Sequence, residues 1–177
     1  ARAAAAIAGH LGDELTEPRI ALELGAALPP DATLVVASSM PVRDVETVFP
    51  ARATPLRVLS NRGANGIDGT LATAFGVAAG SPGPVGGIFD FLPVASETDH
   101  FETHVATPHD LDVAGLAQAY GLHLLPVEDL AGLRASMEFG LASDGTQLIH
   151  VRTDRAENVQ LHRTIWETVG AALAEPG

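Results

Sequence analysis

The stretch Ser60-Asn61-Arg62-Gly63-Ala64-Asn65-Gly66-Ile67-Asp68-Gly69 combines the residue types of an anion site. Its glycines let the backbone turn tightly and come close to a ligand. Arg62 adds a planar fork of donors suited to a carboxylate or a phosphate. An apolar run, Leu56-Arg57-Val58-Leu59, leads into the loop, and a helix-like run from Thr70 to Val77 leaves it. The start of that helix turns open N–H groups and partial positive charge toward the loop. The same order occurs upstream. Leu34-Val35-Val36-Ala37 reads as a buried parallel strand, Ser38-Ser39-Met40-Pro41 as a turn, and Val42 to Phe49 as a helix with Pro41 in its first turn. Turns after the carboxyl ends of parallel strands line one ligand-binding edge of a doubly wound sheet. Ser39, Arg43, Asn61 and Arg62 are therefore expected at one crevice, although Arg43 taken alone reads equally well as a solvated helix residue.

Other constellations carry less. Gly63, Gly66 and Gly69 do not have the G-x-G-x-x-G spacing of a dinucleotide site, and no acidic residue closes a following strand. A G-x-S-x-G nucleophile elbow is absent. Asp99, His100, His104 and His109 fall in a polar loop without a helix to align them, so a metal site there is disfavoured. Asp68 and Glu46 read as a carboxylate pair or as helix-capping and solvated groups. Gly86-Gly87-Ile88-Phe89 and Leu92-Pro93 suit a backbone passing close to a ligand beside an apolar wall, or a buried loop packed into the core.

Composition narrows the classes. The 177 residues include no cysteine and no lysine, so all ten basic residues are arginine. Disulfides, thiolate nucleophiles, Schiff-base chemistry and the P-loop lysine are excluded. A net charge of −12 with scattered arginines argues against nucleic acid. No apolar run reaches the ~20 residues of a membrane span, and no signal peptide is visible. The expectation is a soluble, cytoplasmic chain, and Ala1 in place of an initiator Met marks it as a fragment or processed product.

The elements that would position the loops alternate. Residues 2–11 form an alanine-rich helix, and Thr16-Glu17-Pro18 starts another that Pro29-Pro30 ends. Beyond the two strand–turn–helix units, Leu111–Tyr120 reads as a helix capped by Asp110, and Leu122–Val127 as a strand. Glu128–Leu141 is a helix closed by the Asp144-Gly145 turn, Gln147–Val151 a strand, and Asn158–Ala174 a terminal amphipathic helix. The order predicts an α/β fold: three layers, with a mainly parallel sheet flanked by helices, in one domain spanning 1–177. One step is broken. A helix exit at Ala78 to Pro84 should lead to a buried strand, but no such strand fits before Gly86. Residues are expected to be missing between Val85 and Gly86.

Ser38-Ser39-Met40-Pro41-Val42-Arg43-Asp44, Ser60 to Gly69 and Gly86-Gly87-Ile88-Phe89-x-Phe91-Leu92-Pro93 resemble the SEPHCHC synthase family of menaquinone biosynthesis. Phe101-Glu102, Thr107-Pro108-His109 and Tyr120-Gly121-Leu122 are similar to its downstream segments. The resemblance implies the carboxyl-terminal, diphosphate-binding domain of a thiamine-diphosphate fold. It further implies a carboligase that needs thiamine diphosphate and Mg²⁺, decarboxylates 2-oxoglutarate and adds the succinyl-semialdehyde unit to isochorismate. Ser39, Arg43, Asn61 and Arg62 would then bind substrate carboxylates. Ile67, Gly86, Gly87, Ile88, Phe89 and Leu92 would form the cofactor pocket.

The chain departs from the family in two ways. The Gly-Asp motif and later Asn that hold Mg²⁺ and diphosphate are absent, and they belong where the order breaks. The pyrimidine-binding domain, which supplies the activating glutamate from a partner subunit of a homo-oligomer, and the central domain are absent too. No catalytic or metal-holding residue is therefore expected in this chain, which alone should be inactive. Asp90 stands where a small polar residue is expected. The alternative is a non-catalytic α/β module with a carboxylate-binding crevice; a nucleotide-dependent oxidoreductase is disfavoured by the glycine spacing.

Overall fold

The structure, a computed structural model, describes residues 2–30, 32–38, 40–61, 73 and 112–174. Helix α1 (Arg2–Leu11) is followed by α2 (Glu17–Ala27), which begins as its Thr-Glu-Pro signal requires. The Thr16 hydroxyl accepts the Arg19 N–H, and Pro18 occupies the first turn, where no N–H is needed. Arg52 holds the other end of α2, donating to the carbonyls of Gly25 at 2.6 Å and Leu28 at 2.8 Å. A cation there satisfies acceptors that every helix end leaves open. Gly25 has no side chain because a Cβ would collide with the ring of Pro50.

Strand β1 (Thr33–Val36), helix α3 (Met40–Val48) and strand β2 (Arg57–Ser60) form the first parallel unit. Thr33 lies opposite Arg57 and Val36 opposite Ser60. Every β1 residue is buried, as a continuous apolar run in a parallel sheet demands. Downstream come α4 (Val113–Ala119), β3 (His123–Val127), α5 (Leu130–Ala142), β4 (Gln147–Val151) and α6 (Arg155–Ala174). Strands β3 and β4 are again parallel, with Leu124 opposite Leu148 and Val127 opposite Val151. The α/β class with parallel strands is borne out. Among the described residues the strands form two separate pairs, with no strand joining them into one sheet.

Two helix starts differ from the sequence expectation. Asp112, not Asp110, caps α4, its carboxylate accepting the Gly115 N–H at 2.9 Å. Gly115 makes that possible, since a Cβ there would press on the same carboxylate. Helix α6 begins at Arg155 rather than Asn158, because Asp154 accepts the Glu157 N–H at 2.9 Å. In each case a short acidic side chain closes the first turn three residues on. Asp129 does the same for α5 through Gly132.

Helix α2 joins the core together. Its Ala21 packs with Leu11 of α1, Val48 of α3 and Ile165 of α6. Ile20 and Leu24 cover Val127, Leu130, Leu133 and Met137 of the β3–α5 unit. Leu24 also meets the cluster of Leu28, Leu34 and Val36 beneath α3. No helix among the described residues is long and apolar enough to cross a membrane.

Candidate functional site

The parallel register brings the carboxyl ends of β1 and β2 side by side, and polar groups tie their turns together. The Ser38 hydroxyl donates to the Asn61 backbone carbonyl. The Asn61 side-chain amide donates to the Thr73 hydroxyl at 2.8 Å. Of the expected site residues, Asn61 thus sits at the junction of the two turns, half-buried. Arg43 lies on the exposed side of α3, as does Glu46. Ser39, Arg62, Ile67, Gly86, Gly87, Ile88, Phe89 and Leu92 lie outside the described residues, together with Asp68, Asp90 and the histidines at 100, 104 and 109.

A polar cluster that sequence reasoning missed joins α3, the helix after β1, to α6 and α2. Asp44 turns inward from α3 to the imidazole of His162 on α6, with Oδ1 and Nε2 2.9 Å apart. The two atoms are in close contact without the alignment of a good hydrogen bond. Both residues are 2% exposed. Beside them the Glu17 carboxylate accepts from Asn158 Nδ2 at 2.7 Å and from the Thr153 hydroxyl at 2.8 Å. Burial pushes the Glu17 carboxyl up to about 7, and the nearby Asp44 adds to the shift. The Thr153 and Asn158 hydrogen bonds and His162 oppose it. The signal for this cluster was present: Asp44 shares a helical face with Met40 and Val48, and His162 shares one with Asn158 and Ile165. A polar residue on an apolar stripe marks a buried polar contact.

Comparison with curated proteins supplies the family. A 2-succinyl-5-enolpyruvyl-6-hydroxy-3-cyclohexene-1-carboxylate synthase of Chloroflexus aurantiacus is 40% identical over 200 residues, covering 93% of this chain and 34% of the relative. The proteins of that name from Myxococcus xanthus and Geobacillus kaustophilus are 40% and 37% identical, over 92% and 98% of the chain. The chain belongs to this synthase family. It spans about a third of the length of the curated relatives it matches, 34–36% for these three. No family model matches it.

The same matches carry a second observation about the synthase family. Ninety-three per cent of 177 residues is about 165, which leaves about 35 of the 200 aligned positions without a residue of this chain. The Geobacillus kaustophilus match uses 98% of the chain over 209 positions and leaves a similar number. The relatives therefore have about 35 residues more than this chain does across the matched span. Among the described residues, no group of three or more His, Cys, Asp or Glu side chains is placed to hold a metal ion.

Proposed function

We propose that this chain is the diphosphate-binding part of a thiamine-diphosphate- and Mg²⁺-dependent carboligase of menaquinone biosynthesis. The reaction decarboxylates 2-oxoglutarate and adds the resulting succinyl-semialdehyde unit to isochorismate. The observation that carries the reading is the match, over nearly the whole chain, to synthases of that name. The adjoining carboxyl ends of β1 and β2 support it, because both substrates are carboxylates, Arg43 lies on the helix that follows β1, and Arg62 follows β2 in the sequence.

The residues present do not fit the whole cofactor. The Gly-Asp motif for Mg²⁺ and diphosphate is absent from the sequence, and the described residues offer no replacement. We assign that function to the segment of about 35 residues that the relatives have in addition, and place its absence between Val85 and Gly86. Thiamine diphosphate, when bound, supplies the carbanion chemistry. This chain's own contribution is electrostatic and steric. Ser39, Arg43, Asn61 and Arg62 hold substrate carboxylates, with Ile67, Ile88, Phe89 and Leu92 as the apolar wall and Gly86 and Gly87 allowing close approach. The activating glutamate comes from a partner subunit of a cytoplasmic homo-oligomer.

The test is made on the complete polypeptide that carries the segment. Calorimetric titration should show thiamine diphosphate binding that requires Mg²⁺, together with turnover of 2-oxoglutarate and isochorismate. Binding of dicarboxylates without any cofactor binding would instead make the protein a non-catalytic module. Arg62→Ala should raise the KM for a carboxylate substrate at least about tenfold and leave cofactor affinity unchanged, since a lost charged hydrogen bond is worth that much.

A further inference from the structure

Asp44 and His162 are two ionisable side chains, each 2% exposed and 2.9 Å apart, on helices α3 and α6, whose Val48 and Ile165 share one apolar cluster. Burying such a pair costs desolvation that well-packed apolar residues avoid, so stability alone is a weak reason for it. What a close contact between two buried side chains does supply is a fixed point between the two helices that carry them. Apolar packing tolerates rotation and sliding of a short helix, and loses uniqueness before it loses stability. Helix α3 is short, nine residues, and starts immediately after the turn that leaves β1. Successive residues on a helix point about 100° apart. Fixing where Asp44 points therefore fixes the direction in which the neighbouring Arg43 side chain leaves the helix, on the solvent side.

We infer that the Asp44–His162 contact sets the rotation of α3 about its axis and so aims Arg43 at its substrate carboxylate. Both are positioning residues, acting through Arg43. The support extends one layer further. Asn158, one turn before His162 on α6, donates to Glu17 at the start of α2, and Thr153 donates to the same carboxylate. The aim of Arg43 is thus referred to α6 and α2, helices that also carry the main apolar core. This inference rests on the reading of Arg43 as a substrate-binding residue.

A double-mutant cycle on the complete enzyme tests it. Asp44→Asn keeps the shape and removes the charge, and should raise the KM for the carboxylate substrate by about tenfold, with kcat and thiamine diphosphate affinity little changed. Arg43→Ala should raise the same KM at least as much. Combined, the two should be no worse than Arg43→Ala alone, because a misaimed residue that is already gone cannot be misaimed. Full additivity, or an Asp44→Asn enzyme with unaltered KM, would overturn the positioning role and leave the role of Arg43 intact. An Arg43→Ala enzyme with unaltered KM would remove the substrate reading of Arg43, and this inference with it. His162→Gln repeats the cycle from the other helix and should give the same coupling. Loss of folding in both variants would assign the pair to stability alone and overturn the proposal.

Discussion

Helix α2 carries two glutamates that its surroundings drive in opposite directions. Glu17, at the amino-terminal end, faces α3 and α6, and burial raises its carboxyl from 4.5 to about 7. Glu23 faces α5, where the Arg134 guanidinium meets it in two hydrogen bonds of 2.8 Å and Arg19 adds a third. Hydrogen bonding to Arg134, and then to Arg19, lowers its carboxyl to about 2. One residue type on one helix is thus held near neutrality at one end and firmly ionised toward the other. The difference lies in the partners. Glu23 has cations that reward its charge, whereas Glu17 has neutral donors and a second carboxylate nearby. Ion pairs at a solvated edge are easily assembled and contribute little; polar groups in a core are costly unless each has its counterpart.

Three changes sharpen or break this contrast. The largest effect is expected from His162→Ala, which leaves Asp44 buried without its imidazole. Unfolding by urea should show a loss of about 3–5 kcal/mol at pH 7, the scale for half of a buried pair. A loss below about 1 kcal/mol would mean that water reaches Asp44. Next comes Glu17→Gln. The folded carboxyl binds its proton more tightly than the unfolded one, so the parent loses stability as pH rises from 4.5 to about 7, then levels off. The amide variant should lack that slope and gain on the parent by on the order of 2–3 kcal/mol across the same window. Equal slopes in the two proteins would contradict the burial of Glu17. The smallest effect belongs to Glu23→Gln. Its carboxylate stabilises the fold above pH 4.5 and loses that contribution as pH falls through about 2. A melting temperature lower by a few degrees at pH 7, converging with the parent near pH 2, is expected.

Much of the fold was legible because it is written in local chemistry. The Thr16-Glu17-Pro18 start, the Pro29-Pro30 stop, the apolar run of β1 and the Asp144-Gly145 turn each act within a few residues, and the structure bears them out. The misplaced cap at Asp110 shows the limit: two aspartates compete there, and only Asp112 has a glycine three residues on that admits its carboxylate. The Asp44–His162 contact was not legible, because its partners come from helices far apart in sequence. Each residue's place on a buried helical face marks it as needing a polar partner, but nothing local says which one it meets. The turns themselves were readable as to residue type and neighbourhood. The register of β1 on β2 and the Ser38–Asn61 tie give that neighbourhood its physical basis.

That tie also bears on how the protein can be re-engineered. Because a side chain of one turn grips the backbone of the other, the two turns form one mechanical unit. A library that varies residues after β1 while holding those after β2 fixed would confound altered recognition with displacement of the opposite turn. New specificities should be sought with both turns diversified together and Ser38 retained, so that survivors differ in what they bind and not in how their strands are joined.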